Sequence, residues 1–259
     1  MKNILKKLTL LSLSILAFSC SKDDSNYVAK ENRLLTETSE ISTKTYSYNS
    51  DNKLSKIIDL GDVDNYGSTQ AITSFGYNSN GKMTLKTIEY SGNVTYGINY
   101  AYTYNSDGQI TSLSVNHASS NGSNSYISYS TFSYTNDSKI TETLHTTDGE
   151  YNDIITLLVY NYSISFNLMD LSTYINVSNT NPNGQLSSSS LYSNYDTKKT
   201  PYSSLNLLLD FSYASKNNAG KYDSLNTSIT YTYEYNADGY PTKKTASNNK
   251  VTTYTYQQI

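Results

Sequence analysis

His117 and His145 are the only imidazoles in this chain of 259 residues, so any Ser-His-Asp triad would have to use one of them. Serine and aspartate are abundant enough to fall near either by chance, and no spacing singles out a triad. Asp59, Asp62 and Asp64 form the densest acidic stretch and could offer oxygen ligands to Ca²⁺. That stretch lacks the spacing of a calcium loop, and a solvated loop is the favoured reading. Asp148, Glu150 and Asp153 are sparser still. Glycoside hydrolysis needs two carboxylates about 5–9.5 Å apart in a cleft, and nothing in the sequence pairs any two. No phosphate-cradling glycine loop is present, and neither a cofactor nor a metal is expected. The 28 tyrosines could stack on sugar rings. Tyrosine at every second position is first a sheet-packing pattern, however, and the absence of tryptophan lowers the sugar reading further.

The amino terminus carries an address. Lys2, Lys6 and Lys7 precede an apolar run of 11 residues from Leu8 to Phe18. Such a run is too short to span a bilayer, which takes about 20 residues, and it fits a secretory signal. Cys20, the only cysteine, follows it. Leu16-Ala17-Phe18-Ser19-Cys20 resembles a bacterial lipobox, in which the cysteine is acylated and becomes the first mature residue; Phe18 departs from the small residue usual there. Ser21-Lys22-Asp23-Asp24 resembles the short acidic export tag of surface-exposed lipoproteins in the Bacteroidetes group. The reading is therefore a signal peptide over 1–19, a lipidated tether over 20–40 and one β domain over 41–259. The expected location is the outer membrane, lipid-anchored and facing the cell surface rather than the periplasm. Removing the three signal lysines takes the net charge from −3 to −6. No basic patch remains for nucleic acid, and the expected partners are the membrane, through the anchor, and a glycan or protein at the surface.

Apolar residues make up 36% of the chain and charged residues 16%. Disordered chains are poor in aromatics and rich in net charge, whereas aromatics here reach 13%; a tyrosine-built folded core is implied. One pattern recurs: an aromatic, a spacer, Tyr-Asn, two or three turn residues ending in Gly, then a polar and an aliphatic residue. It occurs at Tyr46–Leu54, Phe75–Met83, Tyr102–Ile110 and Tyr233–Pro241, and as a weaker copy at Phe132–Ile140, with Asn52 and Ser138 replacing Gly and Thr135 following the second Tyr of the weaker copy. Its second tyrosines, Tyr48, Tyr77, Tyr104 and Tyr134, are spaced 29, 27 and 30 residues apart, a repeat period. Each copy reads as a β-hairpin with turn residues that tolerate left-handed backbone.

With two strands per period the chain becomes an all-β antiparallel meander of about 14–18 strands. Residues 41–48 are the expected first strand. Ile154–Tyr160 and residues 164–168 read as strands, Asn181-Pro182-Asn183-Gly184 as a turn, and a short helix is expected near 203–209. After the turn the apolar residues change parity, as at Ile110 and Leu113, so either a bulge switches faces or both faces are covered. The repeat fades over 145–228, the better place to seek a site. A transmembrane barrel is rejected because the strands alternate Tyr with Thr, Ser and Asn, and no lipid-facing apolar row about 25 Å tall emerges.

The motif is similar to the tyrosine-aspartate repeats of RHS-type proteins, which implies a sheet of repeated hairpins; Asn stands where those repeats usually carry Asp. Residues 195–202, Ser215-Lys216-Asn217-Asn218 and 235–241 together resemble an uncharacterised family of Bacteroidetes lipoproteins. That likeness implies a repeat-built β domain at the surface or in the periplasm and no known activity. Asp223-Ser224-Leu225 resembles an O-glycosylation acceptor of the same group. The functional expectation is a non-enzymatic binding or structural module. The alternatives are a glycan-binding component of a nutrient-uptake system and a hydrolase acting on polysaccharide. Whether the sheet stays open, curls or closes is left undecided.

Overall fold

Asn and Gly dictate the local structure of each motif. Asn49 Oδ1 accepts the backbone N–H groups of Asp51 and Lys53, and Asn78 and Asn236 do the same for Asn80 and Lys82 and for Asp238 and Tyr240. This ring, closed by the Asn side chain on its own backbone, is why Asn can stand in place of Asp. The next turn residue is left-handed, with φ 60° at Asn52, 75° at Gly81, 85° at Gly108 and 79° at Gly239, so Asn52 substitutes for Gly as expected. One residue beyond each turn the register slips: Tyr48 faces Leu54 while Ser47 faces Lys56, and Tyr104 faces Ile110 while Thr103 faces Ser112. The extra residue is a β-bulge, which resolves the change of parity in favour of a switch of face.

The computed structural model describes residues 32–64, 67–92, 95–119, 126–135, 138–147, 153–163, 165–205 and 215–259. They form β1 (Asn32–Thr38), β2 (Ser42–Tyr48), β3 (Leu54–Gly61), β4 (Ser68–Tyr77), β5 (Met83–Gly92), β6 (Tyr96–Tyr104), β7 (Ile110–Ser119) and β8 (Tyr126–Thr135). These continue into β9 (Lys139–Thr147), β10 (Asp153–Tyr162), β11 (Leu168–Ile175), β12 (Gln185–Ser193), β13 (Lys221–Ser224), β14 (Thr227–Tyr235), β15 (Pro241–Ala246) and β16 (Val251–Gln258). Every strand pairs antiparallel with its neighbours in sequence, and β1 pairs with β16 from Asn32↔Gln258 to Thr38↔Thr253, closing the barrel. Closure removes both sheet edges, with their unpaired backbone groups. The Asn turns gather at one rim, which also receives both ends of the barrel, Asn32 and Gln258.

The sixteen-stranded meander agrees with the expected strand number, and the open question of closure is answered by a barrel rather than an extended repeat sheet. Three elements differ from the sequence reading. β1 occupies residues assigned to the 20–40 tether, because Leu34 is wholly buried and its strand completes the closure. Of the strand expected over 164–168, residues 165–167 form a turn that Ser163 and Asn167 close, with Phe166 at φ 59°, and Leu168 opens β11. This is a hidden copy of the motif, since Tyr160-Asn161-Tyr162 precedes it and Tyr162 lies 28 residues after Tyr134. The repeat therefore runs further than it reads. Of the helix expected near 203–209, the described part is a turn in which Leu205 N–H bonds the Tyr202 carbonyl at 2.9 Å. Residues 206–209 lie outside the described residues, and no α-helix occurs among those that are described.

The motif tyrosines point inward. Tyr46, Tyr102, Tyr160, Tyr162 and Tyr254 are buried, while intervening residues such as Thr45, Ser47 and Thr103 are exposed. Two clusters fill the interior: one around Tyr102, Ile110, Tyr160, Tyr162 and Leu168, the other around Leu34, Tyr46, Leu54, Leu205 and Tyr254. At the rim the tyrosine hydroxyls form a recurring link. Tyr48 donates to the Leu34 carbonyl at 2.7 Å, Tyr77 to Leu54 at 2.6 Å, Tyr134 to Ile110 at 3.0 Å and Tyr256 to Pro241 at 2.7 Å. Tyr104 and Tyr195 reach Met83 and Leu168 in the same way. Each bond satisfies a half-buried phenol and contributes on the order of 1 kcal/mol. Cations cover the same rings, with Arg33 4.5 Å over Tyr48, Lys53 5.5 Å over Tyr77 and Lys82 5.3 Å over Tyr104.

Candidate functional site

Between β12 and β13, the described residues 194–205 and 215–220 break the barrel's regularity. Asp196 organises the first arm. Its carboxylate accepts the N–H groups of Lys198 at 2.9 Å and Asn218 at 3.1 Å, the Asn218 amide at 3.1 Å, and the Tyr235 hydroxyl. The second arm is clamped to the hidden motif turn: Asn217 N–H bonds Asn167 Oδ1 at 2.8 Å and Leu168 N–H bonds Ser215 Oγ at 3.0 Å. The two segments singled out by the lipoprotein resemblance, 195–202 and 215–218, thus lie side by side. Leu205 then enters the barrel and packs on Leu34, Tyr46, Leu54 and Tyr254, and the Tyr202 hydroxyl donates to Glu37 at 3.0 Å.

Between this inserted connection and the walls of β12, β14, β15 and β16 lies a cavity of about 240 Å³. Its walls carry Tyr192, Tyr195, Tyr202, Tyr231, Tyr233 and Tyr254, with Lys244, Thr200, Ser215, Asn217 and Asn218 as the remaining polar side chains. Lys244 Nζ stands 4.8 Å over the Tyr231 ring. Burial lowers its pKa below the usual ammonium value, and the Glu37 charge opposes that shift. Burial likewise raises the phenols of Tyr195, Tyr231, Tyr233 and Tyr254; at Tyr254 the Glu37 charge adds to it. Glu37 itself accepts hydrogen bonds from Tyr46 and Tyr202. Thr200 is buried, and its Oγ1 has no hydrogen-bond partner. Among the described residues the lining contains no carboxylate, histidine or cysteine, so it offers aromatic faces, hydroxyls and one cation. That set suits binding.

The residues expected to carry chemistry fall elsewhere. Cys20, Asp148 and Glu150 lie outside the described residues. Asp59 points inward from β3, opposite Ala71, with Oδ1 buried and unpartnered, while Asp62 is exposed. Asp64 accepts the Ser68 N–H at 2.9 Å and the Tyr96 hydroxyl at 2.9 Å. The three aspartates do not converge, and no group of His, Cys, Asp and Glu able to hold a metal ion occurs among the described residues. His117 faces inward beside Ile98, its pKa lowered by burial. His145 is on the outer face, bonded to Asp153 at 2.9 Å and stacked 4.4 Å from Tyr129, so the two histidines share no site. Asp223 bonds Ser228 at 2.6 Å and pairs with Lys221 at 2.9 Å. One wall of this cavity, from Tyr192 to Ala219, falls in the stretch 145–228 where the repeat fades. Lys244, Tyr231, Tyr233 and Tyr254 were missed because in sequence they belong to regular strands.

No protein-family model matches the chain, and no curated protein does. Solved structures do resemble it. A porin-like protein from Bacteroides vulgatus superposes with a TM-score of 0.55 at 13% identity, covering 88% of this chain and 100% of the other. A porin-like protein from Bacteroides uniformis gives 0.51 at 17% identity, covering 86% and 96%. These likenesses are to barrels and not to RHS-type repeat proteins, and at such identities they concern the fold.

Proposed function

We propose that this chain is a lipid-anchored, surface-exposed barrel of the Bacteroidetes lipoprotein type, which stands in water beside the outer membrane and acts as a non-enzymatic binding module. The observation that carries this reading is the polarity of the wall. A membrane-spanning barrel turns an apolar band outward and keeps a polar lumen. Here the outward pairs include Thr232↔Thr245, Glu234↔Lys243 and Ser47↔Lys56, with Lys243 bonded to Glu234 at 2.7 Å. The two apolar clusters lie inside. Outward apolar side chains do occur, as in the row Leu157↔Tyr174↔Leu186, but they are interrupted by Thr, Ser and charge around the rest of the wall. The lipobox-like sequence ending at Cys20 supplies the membrane attachment that the wall does not. A lumen filled by two tyrosine-rich clusters also opposes an open channel.

The absence of a carboxylate from the described cavity lining favours binding over polysaccharide hydrolysis, which needs two. The test is localisation. Wild-type protein should incorporate labelled fatty acid and be shaved from intact cells by protease. Cys20→Ala should lose the label and leave the membrane fraction. A Cys20→Ala protein that stays in outer membranes after an alkaline carbonate wash would overturn the proposal.

A further inference from the structure

We propose that the cavity lined by residues 195–202 and 215–219 and by the facing strands binds a small acidic sugar, a six-membered ring bearing a carboxylate, and this rests on reading the barrel as a binding module. Size sets the first limit. A cavity of about 240 Å³ exceeds the roughly 150 Å³ that holds a bare benzene ring, leaving room for one substituted ring. It falls short of the roughly 300 Å³ at which pockets for drug-sized ligands begin, which excludes longer oligosaccharides from lying wholly inside.

Charge sets the second. Cations drawn out of water are normally paired, yet half-buried Lys244 makes no ion pair among the described residues: the Glu37 charge reaches it without close contact, and its near neighbour is the Tyr231 ring at 4.8 Å. A ligand carboxylate beside Nζ would supply the missing partner. Thr200 is the third. Its buried Oγ1, unpartnered on the same cavity wall, can exchange a hydrogen bond with a sugar hydroxyl, and a buried polar group without a partner calls for such an explanation. The tyrosine walls give the apolar faces of a sugar ring something to pack on. A neutral sugar would satisfy the walls and Thr200 but leave Lys244 without a close anionic partner; acetate would pair with Lys244 and leave the walls empty.

Isothermal titration of the full-length chain in a polyoxyethylene detergent, with glucuronate, glucose and acetate as probes, tests this. Glucuronate should bind at least about tenfold more tightly than either of the others, the effect of one charge-assisted contact. Lys244→Met should abolish the preference over glucose, and Thr200→Val should weaken glucuronate without removing that preference. Melting curves confirm that both variants fold. Equal binding of glucuronate and glucose, equal binding of glucuronate and acetate, no heat with glucuronate on folded wild type, or an unchanged Lys244→Met would each overturn it. Failure here with correct lipid-dependent localisation sinks the acidic-sugar site alone, whereas glucuronate binding by a carbonate-resistant Cys20→Ala protein sinks the lipoprotein reading alone.

Discussion

The Tyr77 hydroxyl donates to the Leu54 carbonyl oxygen at 2.6 Å, joining the last residue of β4 to the first residue of β3. The Asn turns connect β2 to β3 and β4 to β5 at the same rim, so covalent turns and tyrosine bonds alternate around it. A Tyr77→Phe substitution removes the bond and leaves a carbonyl in poor contact with water. The expected loss is about 1–2 kcal/mol in chemical denaturation. Tyr129→Phe, on the exposed outer wall, should change stability by less than about 0.5 kcal/mol.

Gly108 has φ 85°, and a Cβ there would lie 2.6 Å from Lys82 Nζ, the ammonium held over Tyr104. Gly108→Ala therefore combines left-handed backbone cost with displacement of that lysine, and should destabilise by about 1–2 kcal/mol. Gly108→Asn should cost less by denaturant midpoint, because the first copy of the motif already places Asn52 at φ 60°.

Alkali should unfold this barrel steeply. Burial pushes the Tyr48 phenol up to about 12, and raises those of Tyr46, Tyr233, Tyr254 and Tyr256 as well. Above about pH 10 the unfolded chain releases these protons and the folded chain retains them, so the folded state binds more protons and stability falls as pH rises. Each such tyrosine contributes about 1.4 kcal/mol per pH unit in that window. Below pH 10 this contribution is fully present. Lys244, shifted downward, works in the opposite sense and is outnumbered. Phenolate absorbance at 295 nm should rise in one cooperative step that coincides with loss of circular dichroism. A smooth titration near pH 10 with the fold intact would contradict a tyrosine-built core.

Thr200→Val should raise stability by about 1 kcal/mol in the ligand-free protein, since it replaces an unpartnered buried hydroxyl by a methyl of the same shape. Differential scanning calorimetry without added sugar is the measurement.

Much of this architecture was legible because the motif is local. Tyr-Asn-x-x-Gly specifies its own turn, its left-handed residue and its bulge within nine residues, so the period and the strand number followed from sequence. The hidden copy at 160–168 escaped notice because Ser163 replaces the turn Asn and Phe166 occupies the left-handed position. Closure was not legible. It depends on β1 meeting β16 across more than 200 residues, through Leu34 packed against Tyr254 and the Asn32 amide bonded to Asp238 at 2.6 Å. The cavity was half legible: loss of the repeat pointed to 145–228, which contains Thr200, but Lys244 sits in a strand of ordinary alternation, and only the fold brings its side chain to the same cavity.

The central claim is that this barrel faces water on its outside. Residues 21–259, which include every strand of the barrel and lack the acylation signal, should purify without detergent as a monomer by size-exclusion chromatography with light scattering, with a cooperative melt. Aggregation relieved only by detergent, together with ion conductance when the protein is added to planar lipid bilayers, would contradict it.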